Sequence, residues 1–275
     1  MNGLLFGVLA LGLNIVWGVM NIINIAHGDF VVIGSFASYW LFVLVGVNPI
    51  LSLLFTIPFG FALGVATYVV LIKRIQEKPE LMSLLLTFGL SIFIEGILYF
   101  EYGPSQVSIP FYLSSFSLSG VTIPENYLIA AIYAIMVAVT LRVFLTRTFW
   151  GKAVRAVIED RTSSLLVGIN PNTVSLLSFG IGIAIASSVG SVLMLNISAV
   201  SYDYGAGLAL IAFVIVVLGG QGSPIGSIIG GVILGIVESL SALWLNAAVT
   251  PAIGFLILVG VLVVRPQGIM GSRSR

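Results

Sequence analysis

Few side chains in this sequence can do chemistry, and most stand where an apolar medium makes them costly. "NIINIAHGDF" crowds Asn21, Asn24, His27 and Asp29 together. "SLLLTFGLSIFIE" sets Ser83, Thr87, Ser91 and Glu95 four residues apart. On a helix of about 3.6 residues per turn, that spacing draws one slowly drifting stripe about 18 Å long. Glu238 stands alone after "GSIIGGVILGIV". Hydroxyls and a carboxylate in a stripe can wall a polar pathway through a membrane, or they can hold helices together by hydrogen bonds. His27, Asp29 and Glu95 could also relay protons or ions. Composition removes most other chemistry. There is no cysteine, hence no thiolate, disulfide or cysteine metal site, and the single histidine rules out HExxH zinc chemistry. No Gly-x-Ser-x-Gly motif offers a nucleophile for an intramembrane enzyme. A net charge of +1 gives no basis for nucleic-acid binding, and no cofactor is expected.

The elements that must position these residues are membrane helices. Of 275 residues, 59% are hydrophobic and only 8% charged, too little charge to wet a globule of this size. Lipid is therefore the solvent over most of the surface. Nine apolar segments recur, at about 3–20, 30–46, 50–72, 81–100, 127–146, 173–195, 206–219, 225–244 and 247–264. The segments at 30–46 and 206–219 are short, which suits tilted, broken or re-entrant passages. The first residues lack a basic leader region and a small-residue cleavage site, and read as a retained span. The expected fold is all-α, a polytopic integral membrane protein of about 8–9 transmembrane helices forming one domain over 1–275. Lys and Arg gather at 73–78, in the loop 146–172 and at the C-terminal end, which places those zones in the cytoplasm. The loop 101–126 has neither, so it faces outward, and its β-prone pieces between Pro and Gly suit a small hairpin. The N-terminus is then outside and the C-terminus inside.

Two stretches interrupt apolar segments with Gly, Asn or Pro: "NIINIAHGDF", and "LGGQGSPIG" with Gly219 and Gly220. Paired breaks of this kind point to a transport site. The charge pattern puts His27 and Asp29 near the cytoplasmic face. There Asp29 caps a helix starting at Phe30, while Asn21 and Asn24 satisfy a freed backbone. An unwound half-helix lining a gate is the sharper reading, and the two are compatible. Glu238 suits pairing with a neighbouring helix or lining a cavity. Gly226/Gly230 and Gly231/Gly235 form GxxxG pairs, as do Gly3/Gly7 and Gly60/Gly64, and suit close helix packing.

The loop "RTFWGKAVRAVIEDRTSSLLVGINPNTV" carries its own pattern. A helix is expected from Gly151 to Asp160, with Lys152, Arg155, Glu159 and Asp160 exposed, and a second from Thr162 to Val167. Gly168 ends the second in a left-handed conformation. Asn170 caps the next helix, with Pro171 at its first position. Leu165, Leu166 and Ile169 then form an apolar ridge suited to a groove on a cytoplasmic partner.

The blocks "NIAHGDFVVIGSF", "GKAVRAVIEDRTSSLLVGI", "LGGQGSPIGSIIGGVILGIVESL" and "VRPQGIMG", in that order over nearly the whole chain, resemble the permease of high-affinity branched-chain amino acid ABC importers. The resemblance implies a membrane-spanning subunit that passes Leu, Ile or Val by alternating access. It implies a second related permease subunit, two cytoplasmic ATPases and an extracytoplasmic substrate-binding protein as partners. The block from Gly151 to Gly168 resembles the coupling element that docks on the ATPase, with Glu159, Asp160 and Gly168 matching. The ATPase lies on other chains, since no Walker GxxxxGK[ST] motif occurs here. The substrate path should include faces near Asn24, Thr87 and Glu95. Two departures bear on substrate: Ile211 stands where a Lys is frequent, and Glu95 where an amide is frequent. Urea and short amides, carried by related permeases, are the alternative cargo. An ion-coupled secondary transporter using His27, Asp29 and Glu95 is the alternative mechanism.

Overall fold

The computed structural model describes residues 2–76, 78–111, 114–118, 121–197, 199–244, 250–265 and 267–270. Its helices are α1 (Asn2–Met20), α2 (His27–Val45), α3 (Leu53–Val70), α4 (Glu80–Tyr102), α5 (Glu125–Arg147), α6 (Phe149–Glu159), α7 (Arg161–Leu166), α8 (Pro171–Asn196), α9 (Tyr204–Gly219), α10 (Pro224–Ser241) and α11 (Thr250–Val264). A 3₁₀ turn, Ile72–Arg74, extends α3. Strands β1 (Ser115–Leu118) and β2 (Val121–Pro124) pair antiparallel in the expected hairpin, with Ser115 opposite Pro124 and Leu118 opposite Val121.

Each expected apolar segment holds a helix. Seven are long and apolar enough to cross a membrane: α1, α2, α3 with its 3₁₀ extension, α4, α5, α8 and α10. The all-α polytopic class stands. α9 and α11, at 16 and 15 residues, are shorter than the roughly 20 residues a full span needs. The segment expected from 30 begins earlier, at His27, because the first polar residues are wound into the helix.

α1 and α8 form the centre and are buried over most of their length, whereas α3, α4, α5 and α10 show most of theirs. The outward residues of α4 include Leu85, Phe88 and Ile92, side chains suited to lipid. Small residues let α8 approach its neighbours. A methyl on Gly34 of α2 would overlap the Ser187 backbone, and Gly64 of α3 meets Gly180. Serine hydroxyls then bond across: Ser187 donates to Phe30 O at 3.2 Å, Ser191 to Thr56 Oγ1 at 2.9 Å, and Ser188 pairs with Tyr133 at 2.6 Å. Hydrocarbon gives helices no hydrophobic reason to associate, so close packing and such bonds hold this core together.

Candidate transport site at two helix breaks

α1 stops at Asn21. Its N–H closes the last bond of the helix, to Trp17 O at 2.7 Å, and its φ of 53° lies in the left-handed region. Asn tolerates that conformation better than other non-glycine residues, which accounts for an amide at this position. The chain then runs without helical structure to His27. His27 Nε2 lies 3.2 Å from Leu9 O, so the ring stands about 16 Å back along α1 from Met20, at about 1.5 Å per residue. Six residues of extended chain reach that far. His27 and Asp29 are thus deep in the bundle, and their expected place near the end of the span is corrected. The cap assigned to Asp29 is also absent: α2 starts with Ala26 at its N-cap and no side-chain cap bond.

Thr87 satisfies the broken backbone. Its hydroxyl accepts from Ile25 N at 3.3 Å and shares its one proton among Ser83 O at 2.9 Å, Ile23 O at 3.1 Å and Leu84 O at 3.3 Å. Asn24, expected to do this, does not. Its amide is buried and has no partner among the described residues, like His27 Nδ1 and both carboxylate oxygens of Asp29. Carbonyls only accept, so the Leu9 contact places the histidine proton on Nε2 and leaves Nδ1 free. Gly28 fixes the depth of the α2 start. A methyl there would overlap Gly205 O, and one on Gly205 would overlap Asp29, so two backbones touch where α2 and α9 begin.

The α4 stripe faces this break. Ser83, Thr87 and Ser91 are buried and Glu95 is half-buried above them. At its lower end, a cavity of about 560 Å³ opens between Asn21, Glu80, Ser83, Glu159 and Asp160. The structure therefore brings Asn21, Asn24, Asp29 and the stripe along one line. Glu238 is not part of it. It borders a separate cavity of about 140 Å³ with Ile211 and Leu234, on α9 and α10.

The second break, 220–223, is saturated with bonds. Asn14 Nδ2 shares its two hydrogens among Gly220 O at 3.2 Å, Ser223 O at 3.0 Å and Ser227 Oγ at 2.6 Å, and its Oδ1 accepts from Gly222 N at 2.6 Å. Beyond it, Ile269 N and Met270 N donate to Leu218 O and Gly219 O at 2.8 and 3.0 Å, covering carbonyls that end α9. Sequence reasoning passed over Asn14. Its signal was a lone carboxamide inside "LALGLNIVWGV". Around the break, Gly219 and Gly226 touch backbone to backbone, Gly230 faces Ile215, and Gly231 and Gly235 lie against Gly3 and Gly7. Gly220 has φ 103°, which a side chain would strain.

Below the breaks, α6 and α7 form a knuckle. Gly151 sits against the Phe144 carbonyl where α5 turns into α6, with no room for a methyl. Ala153, Val154 and Val157 face inward, and Arg155 and Glu159 outward. Asp160 ends α6 and caps α7. Oδ1 accepts from Thr162 N at 2.8 Å and Ser163 N at 3.1 Å, and Oδ2 from Ser163 Oγ at 2.5 Å. The Ser163 hydroxyl first, then the two amides, hold its pKa below the usual carboxylate value. Gly168 is left-handed at φ 82°, and Asn170 caps α8 ahead of Pro171. The exposed ridge is Leu165, Leu166 and Val167. Ile169, expected in it, packs against the core, because the Gly168 turn directs it inward.

Residues 1–264 match a protein family described as branched-chain amino acid transport system / permease component. The chain is 31% identical to the high-affinity branched-chain amino acid transport system permease protein LivH of Escherichia coli K12, over 98% of this chain and 92% of that one. It is 30% identical to LivH of Salmonella typhimurium, with the same coverage. It is 29% identical to the permease protein BraD of Pseudomonas aeruginosa, over 98% of this chain and 94% of that one. No solved structure matches.

Proposed function

The chain belongs to the branched-chain amino acid transport system permease family, and from that premise we propose that it is a membrane-spanning subunit of an ABC importer for Leu, Ile and Val. The relatives' names supply the substrate class. A second related permease completes the pore, two cytoplasmic ATPases drive it, and an extracytoplasmic binding protein delivers the substrate. The Asn2 end of α1 and the hairpin face outward, and the knuckle faces the cytoplasm, following the Lys and Arg distribution.

The observation that carries this reading is the non-helical 21–26 segment between α1 and α2, two helices long and apolar enough to cross a membrane, which leads His27 back to Leu9 O. Irregular backbone survives within a bilayer only when it is buried in protein or lines a cavity, and transporters use such segments as binding points. The path runs down α4 past Glu95, Ser91 and Asp29, then Thr87 and Asn24, to Ser83, Asn21 and the cavity beneath. Polar groups of Asn24, His27 and Asp29 that have no partner among the described residues suit a wall that meets water or substrate when the path opens. ATP closure of the ATPase pair enters through the knuckle and shifts the helices between two states.

Reconstitution of the chain with its partners in proteoliposomes tests this. ATP inside, with binding protein and leucine outside, drives uptake without any ion gradient. Uptake driven by a proton or sodium gradient with no ATP favours the relay mechanism instead. A ligand-melting screen of the binding protein separates branched-chain amino acids from urea and short amides.

A further inference from the structure

We propose that Ile158 and Asn14 are positioning residues that carry the knuckle's motion to the second break, making 220–223 a driven anchor and leaving 21–26 as the element that opens. The proposal rests on the importer reading above. Ile158 is the half-buried residue of α6 just before the exposed Glu159. Its side chain stands over two glycines on two other elements. A methyl on Gly18 would lie 3.5 Å from Ile158 Cδ1, and one on Gly222 would lie 3.6 Å from Ile158 Cγ2. A methyl on Gly18 would also lie 3.2 Å from Gly222 Cα. So the knuckle, the end of α1 and the second break meet at one apolar point.

Asn14 fixes the break behind that point. Its amide lies within hydrogen-bond distance of four groups from Gly220 to Ser227, and it is fully buried one turn above Gly18. A load placed on Gly222 by Ile158 therefore passes into α1 and α10 together, because the loop cannot shift relative to either without breaking buried bonds. Packed interiors of this kind transmit displacement instead of absorbing it.

The first break is tied differently. Thr87 is a side chain that holds its interior backbone, and Asn24 carries polar atoms with no partner among the described residues. At its lower end a side-chain bond ties it to the anchor: Gln221 Nε2 donates to Asn21 Oδ1 at 3.1 Å. That bond is exposed and links the two breaks at the level of the knuckle. A weakly held segment beside a firmly held one is the arrangement in which a push on the anchor changes the spacing between them.

The test uses the full importer in proteoliposomes, with the absence of cysteine from this chain, and partner subunits made cysteine-free, giving a clean background for thiols. Ile158→Ala should leave ATPase co-purification and binding-protein-stimulated hydrolysis in place while uptake per ATP falls about tenfold. Ile158→Val, which removes one methyl, should fall between Ala and wild type. The second readout is disulfide formation in an Asn21→Cys/Gln221→Cys pair. Its rate should change when ATP is trapped on the wild-type background, and that change should vanish with Ile158→Ala or Asn14→Leu. An Ile158→Ala complex that couples like wild type, with nucleotide-dependent cross-linking retained, overturns the transmission. A wild-type complex that shows no ATP-driven uptake overturns the importer reading, and the transmission with it.

Discussion

Gln221, in the break between α9 and α10, donates a hydrogen bond to Asn21, which ends α1, at 3.1 Å. Two interruptions about 200 residues apart in sequence thus meet at one end of the bundle. They differ in how they are satisfied. The Gln221 side has Asn14 and the 269–270 backbone, while the Asn21 side has Thr87 and several buried atoms with no partner among the described residues. The contrast separates a densely bonded break from a sparsely bonded one.

Thr87→Val keeps the shape of the side chain and removes the group that serves both Ile23 O and Ile25 N. Two part-buried backbone groups lose this partner, at a cost of about 1–3 kcal/mol. Detergent melting should show a lower midpoint, and uptake should fall, while Thr87→Ser, which keeps the hydroxyl, should stay near wild type. A Thr87→Val variant unchanged in both melting and uptake would remove Thr87 from the support of the break.

Gly28→Ala should be more damaging than its single methyl suggests. The added group would overlap Gly205 O, a backbone atom that cannot rotate away. Overpacking of this kind costs about 1–3 kcal/mol. Gly89→Ala on α4 meets nothing within 4 Å and serves as the control. Thermal unfolding and membrane yield should separate the two variants, with Gly89→Ala matching wild type.

Asp160 gives a pH prediction. Its pKa is depressed by the Ser163 hydroxyl and the Ser163 and Thr162 amides. A carboxyl depressed on folding contributes stability above its unfolded pKa of about 3.9, and loses that contribution only as pH falls through the lower folded value. The α7 cap should therefore hold unchanged from about pH 8 down to about pH 5. Amide exchange at Thr162 and Ser163, corrected for the intrinsic rate, should be flat over that range. Asp160→Ala should speed it at every pH, whereas Asp160→Asn should retain partial protection.

Glu95→Leu tests the pathway at its upper end. Glu95 is half-buried at the end of a stripe whose other members are closed off. Uptake should drop while the importer still assembles, as read by co-purification of the partner subunits. Unchanged uptake would make Glu95 a structural residue.

Much of this was legible in the sequence. Hydropathy placed a helix at every apolar segment, and the Pro, Gly and Asn residues marked both breaks. Gly168 and Asn170 announced the knuckle's exit because their roles depend on local backbone geometry alone. The depth of the first break was not legible. It is set by the Gly28–Gly205 contact and by Thr87, partners far away in sequence, so Asp29 looked like a helix cap when it is a buried side chain inside α2. Asn14 was hidden for the same reason. Its value lies in a loop more than 200 residues later, and nothing in its own helix announces that loop. Ile169 leaves the expected ridge because the direction of a side chain after a left-handed glycine depends on the tertiary turn.

The side of the membrane on which the 149–168 knuckle lies, and what covers it, is the point on which function turns. Leu166 is 86% exposed and the chain has no native cysteine, so Leu166→Cys is a direct reporter. Membrane-impermeant maleimide should label it in inside-out vesicles only, and addition of the ATPase subunits should block the labelling. Labelling in right-side-out vesicles, or labelling undiminished by the ATPases, would contradict the coupling of this chain to a cytoplasmic motor.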